Sequence, residues 1–251
     1  MIKETTKERI IKLGLFQYLR YKFSKRNQLL VLKIRGQKIW LRKNNVDIRV
    51  ALSSLFGEFD ILLKYIKSDF QGYIIDIGGY IGTSALALKT MYPNAKILVI
   101  EPSRDNFELM KKNLNQFKDI KLIYGAIVGK SSKKVNLYDR RTGPWGYTLV
   151  KNSEDLKKKK KEMKILHQVP CYKISEIIPK NSEIGIIKID IEGGEHELFQ
   201  NDPKTLLKSK VMIVELHDRI VPGCTELFHE ISKNRDVFKD KFEKYISSKK
   251  E

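Results

Sequence analysis

The sequence predicts a doubly wound α/β fold, in which helices cover both faces of an open parallel sheet. Five short apolar runs, separated by stretches of helical pattern, carry this prediction: 73–77, 96–100, 120–124, 184–191 and 211–216. Continuous apolar strands are typical of parallel sheets that are buried on both faces. A glycine-rich turn follows the first run and leads into a helix, where open α/β sheets bind ligands.

Composition places the chain among ordinary globular proteins. It has 251 residues, of which 41% are hydrophobic and 31% charged, which suits one large domain with appendages. No apolar run approaches the roughly 20 residues of a membrane-spanning helix, and the first residues do not resemble a signal peptide. We therefore expect a cytoplasmic protein. Cys171 and Cys224 show no ligand spacing, which predicts buried free thiols.

The net charge of +19 is concentrated in three segments. Residues 1–43 carry 13 basic and 2 acidic side chains, residues 151–164 carry 7 and 3, and residues 233–251 carry 7 and 4. The rest of the chain is nearly neutral. Lysines outnumber arginines 38 to 11, whereas nucleic-acid recognition favours arginine. The excess suits an anionic membrane surface, an acidic glycan, or solubility alone, and nucleic acid is not the expected partner.

Residues 1–46 predict a basic appendage made of a helix and a hairpin. Thr5 and Glu8 have capping-box spacing for a helix over 5–26. Its apolar positions recur every fourth residue: Ile11, Leu15, Leu19 and Phe23. Such a stripe usually packs against its own domain, but with basic flanks it also suits a membrane surface. Peripheral membrane contact through this segment is therefore an open alternative.

The remaining organisation follows from local patterns. Two strand-like runs around Arg35-Gly36-Gln37 predict a hairpin over 29–42. A helix over about 47–66 opens the main domain, which we place at 47–232, and 233–251 is expected to form a charged helix or tail.

An insertion over about 131–176 separates the third and fourth strands, and its ends at 135–138 and 168–172 are strand-like. Trp145 and Tyr147, on its glycine- and proline-rich loop, are expected either to stack on a sugar or, for the tryptophan, to pack in the core. The neighbouring Arg140 and Arg141 are candidates to bind an acidic group. The run 157–161 contains only lysine, which predicts a solvated loop.

The turn after the first strand predicts a cofactor site. Gly78 and Gly82 let the backbone approach a ligand, and Gly79 adds freedom. Asp76 occupies the place of the first glycine of a dinucleotide fingerprint, where its charge repels a pyrophosphate but suits a cationic sulfonium. Glu101 ends the second strand, where a carboxylate can accept hydrogen bonds from ribose hydroxyls. Together these residues favour S-adenosyl-L-methionine as the cofactor.

Three motifs resemble a known family, the FkbM-type methyltransferases. They are Asp-Ile-Gly-Gly-Tyr-Ile-Gly at 76–82, Glu-Pro-Ser-x-x-Asn-Phe at 101–107 and Lys-Ile-Asp-Ile-Glu-Gly-Gly-Glu at 188–195, followed by Val-Glu-Leu-His at 214–217. The likeness covers about 47–217. It implies a Rossmann-like methyltransferase sheet and methylation of a hydroxyl, as in family members that act on sugars and secondary metabolites. Tyr80 departs from the asparagine usual in the family.

The resemblance and the turn together give the expected cofactor-binding residues: Asp76, Gly78, Gly79, Tyr80, Gly82, Glu101, Pro102 and Ala126.

Charged side chains at the ends of the fourth and fifth strands predict the reacting groups. Lys188, Asp190 and Glu192 share one face of a strand because side chains alternate. His217 follows the fifth strand and titrates nearest neutral pH, so we predict it as the general base that takes the proton of the acceptor hydroxyl. Asp190 either orients the acceptor or replaces His217 as base.

Structural interpretations compete with these roles. Lys188 can form an ion pair with Asp190 or Glu192, and Glu192 and Glu195 can favour the amino end of the following helix. His217 can be a satisfied loop histidine. A divalent metal on Asp190, Glu192 and His217 matches no fixed ligand spacing, so no metal is predicted.

Three functions remain open from the sequence. The first is an S-adenosylmethionine-dependent O-methyltransferase acting on a sugar of a glycan or glycolipid precursor. The second, motivated by a pI of about 9.7, is an RNA methyltransferase, although no Asn-Pro-Pro-Tyr-like sequence follows the fourth strand. The third is a non-catalytic binding module that retains the fold.

Overall fold

The computed structural model describes residues 5–26, 28–130, 132–158 and 162–250. In chain order its first elements are α1 (Thr6–Leu13), α2 (Leu15–Phe23), β1 (Leu29–Ile34), β2 (Gln37–Arg42), α3 (Asn45–Leu55), a 3-10 helix (Asp60–Lys64), β3 (Tyr73–Ile77), α4 (Thr83–Met91), β4 (Lys96–Glu101), α5 (Arg104–Leu114) and β5 (Ile120–Tyr124). The elements that follow are β6 (Ala126–Ile127), β7 (Lys134–Asp139), a 3-10 helix (Pro144–Gly146), β8 (Tyr147–Thr148), α6 (Glu154–Lys158), β9 (Lys164–Tyr172), α7 (Ile174–Ile177), β10 (Ile184–Ile189), α8 (Glu195–Asn201), α9 (Pro203–Leu206), β11 (Val211–Val214), α10 (Cys224–Ile231), β12 (Arg235–Lys239) and β13 (Tyr245–Lys249).

A seven-stranded sheet forms the centre, with the strand order β12-β13-β11-β10-β3-β4-β5. The five strands predicted from the apolar runs lie side by side in this sheet, and they run parallel to one another. The chain moves outward from β3 through β4 to β5 and then restarts at β10 on the other side. The strand order therefore switches direction between β3 and β10, which is where such sheets bind ligands.

Helices cover both faces of this sheet. Ile74 of β3 packs in one apolar cluster with Leu86 of α4, and Ile75 packs in a second cluster with Leu198 of α8. Because neighbouring residues of one strand point to opposite faces, the two clusters lie on opposite sides of the sheet. The doubly wound, Rossmann-like fold is confirmed.

The amino-terminal segment differs from the single helix expected over 5–26. The Thr5–Glu8 capping box is present, but Gly14, with φ of 78°, separates α1 from α2. This break shifts the buried face, so that Leu13 and Tyr21 are buried. The predicted stripe faces outward, with Ile11 71%, Leu15 59%, Leu19 39% and Phe23 78% exposed. Packing of this stripe against the domain is therefore wrong. Within the described residues no helix has the length and apolar character needed to cross a bilayer.

The carboxyl-terminal segment corrects the expectation of a charged helix or tail at 233–251. Its residues form β12 and β13, and β13 pairs antiparallel with β11 in the central sheet. Buried Arg235 donates to Ser247 Oγ at 2.8 Å and to the backbone oxygen of Lys210 at 2.9 Å. The partners of Arg235 are distant in sequence and cannot be recognised from the local charge pattern. That pattern therefore predicts a solvated segment instead of two strands.

The insertion forms a second sheet, with the order β6-β9-β7-β8. Its predicted strand-like ends are confirmed as β7 and β9. Of the lysine run, Lys157 and Lys158 fall in α6, and 159–161 lie outside the described residues. The hairpin of β1 and β2 is also confirmed, whereas the helix expected over 47–66 ends at Leu55, before Gly57 with its φ of 103°.

Gly78 is the glycine at which a side chain is least tolerable, and we predict a large loss of stability for Gly78→Ala. A Cβ atom there would lie 1.9 Å from the backbone oxygen of Asp190, and φ is already +84°. Gly36 has nearly the same φ, +83°, but open space around it. Gly36→Ala should therefore cost only the strain of about 1 kcal/mol, and Gly78→Ala about 2 kcal/mol more. Chemical denaturation of both variants measures this difference, and equal losses would contradict the close approach of the two strand ends.

Candidate active site

A cavity of about 320 Å³ opens at the carboxyl ends of the central strands, which is a size typical of small-molecule sites. Gly78 after β3, Glu101 at the end of β4, Asp190 after β10 and Glu215 after β11 all line it. These residues surround the point where the strand order switches direction. The cavity therefore lies where the sequence predicts the cofactor and the reacting groups.

Five of the expected cofactor residues line this cavity: Gly78, Tyr80, Glu101, Pro102 and Ala126. The other three, Asp76, Gly79 and Gly82, lie behind its wall. A Cβ atom on Gly79 would meet Val99, and one on Gly82 would meet Leu114 and Met110. These two glycines therefore allow the turn to pack closely on β4 and α5.

Glu101 is a buried carboxylate that lines the cavity. Its Oε2 accepts from the Tyr80 backbone N–H at 2.9 Å, and its Oε1 accepts from the Ser103 N–H at 2.9 Å and Asn106 Nδ2 at 3.2 Å. Burial raises the pKa of Glu101 to about 7, although these hydrogen bonds act to lower it. A carboxylate has about four acceptor positions, so Oε2 retains room for a ligand hydroxyl.

The Tyr80 hydroxyl is hydrogen-bonded within the protein rather than directed at a ligand hydroxyl. It donates to Asp47 Oδ1 at 2.5 Å, and the Arg42 guanidinium lies 5.3 Å from the centre of the Tyr80 ring. Burial and the Asp47 carboxylate raise the pKa of this hydroxyl far above its usual range. The side chain thus fixes the turn to α3 and presents its ring to the cavity.

Asp76 and Lys188 form a buried ion pair beneath the turn. Lys188 Nζ lies 3.1 Å from Asp76 Oδ1 and donates to the Gly78 backbone oxygen at 2.7 Å. Ser84 Oγ donates to the other Asp76 oxygen at 2.5 Å. Neither charged side chain lines the cavity. The placement agrees with the structural interpretation of Lys188 as an ion-pair residue: Asp76 is its nearest carboxylate, and the expected partner Asp190 lies farther away, at 3.9 Å.

The remaining predicted groups form one cluster at the ends of β10 and β11. His217 is buried, and its Nδ1 lies 2.9 Å from Glu195 Oε1. Its Nε2 lies 3.5 Å from Glu192 Oε1 and 3.9 Å from Asp190 Oδ1. Glu192 and Asp190 reach the cavity, whereas His217 lies behind them. The fold thus brings His217 and Asp190 together at the ends of two neighbouring strands.

The charge state of His217 bears on its predicted role as base. Burial lowers the pKa of the imidazole, but the carboxylates of Glu195 and Glu192 outweigh this and raise the pKa well above 6.5. A shift in this direction favours the doubly protonated ring, which has no free nitrogen to accept a proton. The side chain of Asp190 is 30% exposed and lines the cavity, whereas His217 does not line it.

The sequence profile of the methyltransferase FkbM domain matches residues 76–234, which include every residue of this cluster. The chain belongs to the FkbM methyltransferase family. As a member it is an S-adenosylmethionine-dependent methyltransferase. A search of curated protein sequences gives no match.

Solved structures resemble this FkbM chain only distantly. The N-terminal domain of human METTL16 in complex with SAH is 13% identical, with 86% of this chain and 77% of that chain covered and a TM-score of 0.47. Precorrin-6y C5,15-methyltransferase from Geobacter metallireducens GS-15 is 12% identical, with 76% and 86% covered and a TM-score of 0.42. TYW2 from M. jannaschii in complex with AdoMet is 10% identical, with 90% and 87% covered and a TM-score of 0.43. Likeness at this level indicates no substrate.

Arg140 does not bind an acceptor in this FkbM chain, which corrects the expectation from sequence. Its side chain is fully buried, with Nη1 2.6 Å from Glu192 Oε2 and Nη2 2.6 Å from Asp155 Oδ2. Arg219 lies 3.3 Å from the same Glu192 oxygen. Trp145 and Tyr147 do line the cavity, and Trp145 Nε1 donates to the Thr142 backbone oxygen at 2.7 Å.

Sequence reasoning missed Lys244 of the FkbM chain. Its buried ammonium donates to Glu215 Oε2, lies 3.3 Å from Glu58 Oε1 and 3.9 Å from Asp190 Oδ2, and lines the cavity. Burial lowers the pKa of Lys244, but these three carboxylates raise it well above its usual value. Lys244 reaches the site only because β13 joins the sheet, and no local pattern signals that.

Proposed function

We propose that this chain is an O-methyltransferase that methylates a hydroxyl of a sugar in an acidic glycan or glycolipid precursor. The carrying observation is the charge of the cavity. Seven carboxylate side chains line it, against three cations, although the whole chain carries +19. An acidic cavity in a basic protein suits a cofactor with a sulfonium and an ammonium, and it disfavours a polyphosphate ligand.

The residues present fit S-adenosylmethionine. Glu101 offers an acceptor to a ribose hydroxyl, Gly78 and Tyr80 give the backbone wall, and Pro102 and Ala126 add apolar surface. The cofactor supplies an electrophilic methyl group when bound. Asp190 would hold the acceptor hydroxyl and take its proton, while Lys188 and Lys244 keep the Asp190 carboxylate ionised by lowering its pKa against the effect of burial.

We expect Glu101→Gln to bind S-adenosylmethionine about 10- to 100-fold more weakly than the wild type, because an amide cannot accept at both oxygen positions and one backbone donor loses its partner. Wild-type affinity should also weaken as the pH falls through about 7, the pKa of Glu101, since the protonated carboxyl loses acceptor capacity. The variant should lack this pH dependence.

Calorimetric titration measures both effects. Glu108→Gln on α5 is the matched control because its side chain is exposed. Unchanged affinity in Glu101→Gln would remove Glu101 from the cofactor site.

A basic cleft beside the cavity supports an acidic acceptor. The cleft measures about 1150 Å³ and shares Tyr80, Pro144 and Trp145 with the cavity. Four cations and two carboxylates line it, the cations being Arg26, Arg42, Lys43 and Lys112. Trp145 lines both the cleft and the cavity, and in this proposal its ring stacks on the sugar. When the protein is incubated with a cell extract and methyl-labelled cofactor, we expect the label in the glycolipid or glycan fraction. Label in RNA would instead favour an RNA methyltransferase.

The amino-terminal helices α1 and α2 support action at an anionic membrane. Beyond the four stripe residues, Phe16 is 76% exposed, and Lys12, Arg20 and Lys22 lie on the same two helices. Exposed apolar groups beside basic ones are the pattern of interfacial helices. The cleft begins next to this surface, so an acceptor anchored in lipid would meet the site directly.

Sedimentation with vesicles tests this membrane contact. The wild type should bind vesicles containing phosphatidylserine and bind phosphatidylcholine vesicles weakly, because the basic groups need anionic lipid. Phe16→Ser with Phe23→Ser should reduce binding at least about 10-fold, since each buried phenyl contributes about 1.5–3 kcal/mol. Leu63→Ser is the control, because Leu63 is 47% exposed outside this surface. Self-association without vesicle binding would assign the surface to a second copy of the chain.

A further inference from the structure

Three side chains at the cavity floor direct one atom each towards a common point. His217 Nε2 lies 3.5 Å from Glu192 Oε1 and 3.9 Å from Asp190 Oδ1, and the three ligand atoms all lie within 4.8 Å of one another. We propose that Asp190, Glu192 and His217 bind one divalent transition-metal ion. These residues have no fixed ligand spacing in the sequence because Asp190 and Glu192 follow β10 while His217 follows β11, and the two strands are neighbours only in the folded sheet.

His217 is oriented as a metal ligand. Its Nδ1 lies 2.9 Å from Glu195 Oε1, and Glu195 is itself fixed by the backbone N–H groups of Ile191 at 3.0 Å and Gly193 at 2.8 Å. A carboxylate on one ring nitrogen orients the ring and holds the Nδ1 proton, and an ion at Nε2 would displace the second proton that the neighbouring carboxylates favour in the metal-free protein. Nε2 is buried and makes no hydrogen bond. A buried polar atom without a partner needs an explanation, and a metal ion provides one.

In both Asp190 and Glu192, one carboxylate oxygen faces cationic side chains and the other faces the imidazole of His217. Glu192 Oε2 takes both arginines, with Arg140 at 2.6 Å and Arg219 at 3.3 Å, while Oε1 faces the imidazole. Asp190 Oδ2 faces Lys188 and Lys244, each at 3.9 Å, while Oδ1 faces the imidazole. The cations therefore leave one oxygen of each acid directed at His217 Nε2.

The spacing suits a transition metal. Ligand atoms about 2.1 Å from an ion in tetrahedral geometry lie roughly 3.4 Å apart, close to the 3.5 Å and 3.9 Å found around Nε2. One imidazole and two carboxylates favour Mn²⁺, Fe²⁺ or Zn²⁺ over Mg²⁺ and Ca²⁺, which prefer all-oxygen sites.

The site adjoins the cavity through Asp190 and Glu192. An ion there would face an acceptor hydroxyl and make its proton easier to remove, while Asp190 Oδ2 stays available to receive that proton. The ion can bind whether or not methyl transfer takes place, but its effect on the proton of the acceptor hydroxyl rests on the proposed function.

The test uses the full-length chain after treatment with a chelator. Titration with Mn²⁺, followed by the electron paramagnetic resonance signal of the free ion, should give one site per chain. His217→Gln and Asp190→Asn should each weaken Mn²⁺ binding about 10- to 100-fold, whereas His196→Gln, a half-buried histidine outside the cluster, should not. Mg²⁺ should compete poorly.

Absence of a site in the wild type, or equal Mn²⁺ affinity in the wild type and Asp190→Asn, would overturn the proposal. Asp190→Asn serves here because Asp190 is partly exposed and its replacement is near-isosteric, so it keeps the test valid if His217→Gln does not fold. Titration of the chelated protein with S-adenosylmethionine separates the two proposals. Cofactor binding without Mn²⁺ binding refutes the metal site alone, and Mn²⁺ binding without cofactor binding refutes the methyltransferase mechanism alone.

Discussion

Asp190→Asn is expected to lower kcat for methyl transfer by about 10²- to 10⁴-fold, the usual contribution of a positioned general base. Asp190 lines the cavity, and its Oδ1 lies 3.9 Å from Nε2 of the predicted catalytic histidine. An amide has nearly the same shape but cannot take the acceptor proton. The dissociation constant of S-adenosylmethionine should change little, because Glu101, the carboxylate proposed to bind the cofactor, lies on another strand.

Single-turnover transfer of a labelled methyl group to the glycolipid fraction measures this loss, and calorimetry measures the cofactor affinity. Asp119→Asn is the matched control, because Asp119 is exposed and lies at the amino end of the edge strand β5, away from the cavity. A variant with wild-type kcat would show that another group accepts the proton. A variant that lost cofactor affinity in parallel would place Asp190 in the cofactor site.

The sequence predicted those parts of the fold that depend on neighbouring residues. The five parallel strands are continuous apolar runs, and the turn at 78–82 has the glycines that its backbone needs. Glu101 and Asp190 were found because each directly follows or ends a strand whose carboxyl end faces the cavity. In a parallel sheet, strand direction alone brings such positions together.

Features that depend on distant contacts could not be predicted. Arg140 looks like a surface residue beside Arg141, and only the folded insertion brings it against Glu192 and Asp155. Arg235 is satisfied by β13 and the loop before β11, so its segment resembles a charged tail until those partners are in place. The charge state of His217 likewise depends on carboxylates from another strand.

Arg140→Met is expected to lower the free energy of unfolding by about 3–5 kcal/mol, the usual cost of removing one partner of a buried ion pair. Arg140 is fully buried and lies 2.6 Å from both Glu192 and Asp155. Methionine fills much of the same volume but removes the nearest guanidinium of the buried Glu192 carboxylate and leaves Arg219, at 3.3 Å, as its remaining arginine. The cost arises because the buried Glu192 charge loses its ion-pair partner, so adding Glu192→Gln should recover about 2 kcal/mol relative to the sum of the two single losses.

Urea denaturation of the two single variants and the double variant gives this coupling energy. Arg141→Met, at the exposed neighbouring position, should stay within about 0.5 kcal/mol of the wild type. Equal losses at 140 and 141, or additive losses at 140 and 192, would show that the insertion is not held to the active site by this ion pair.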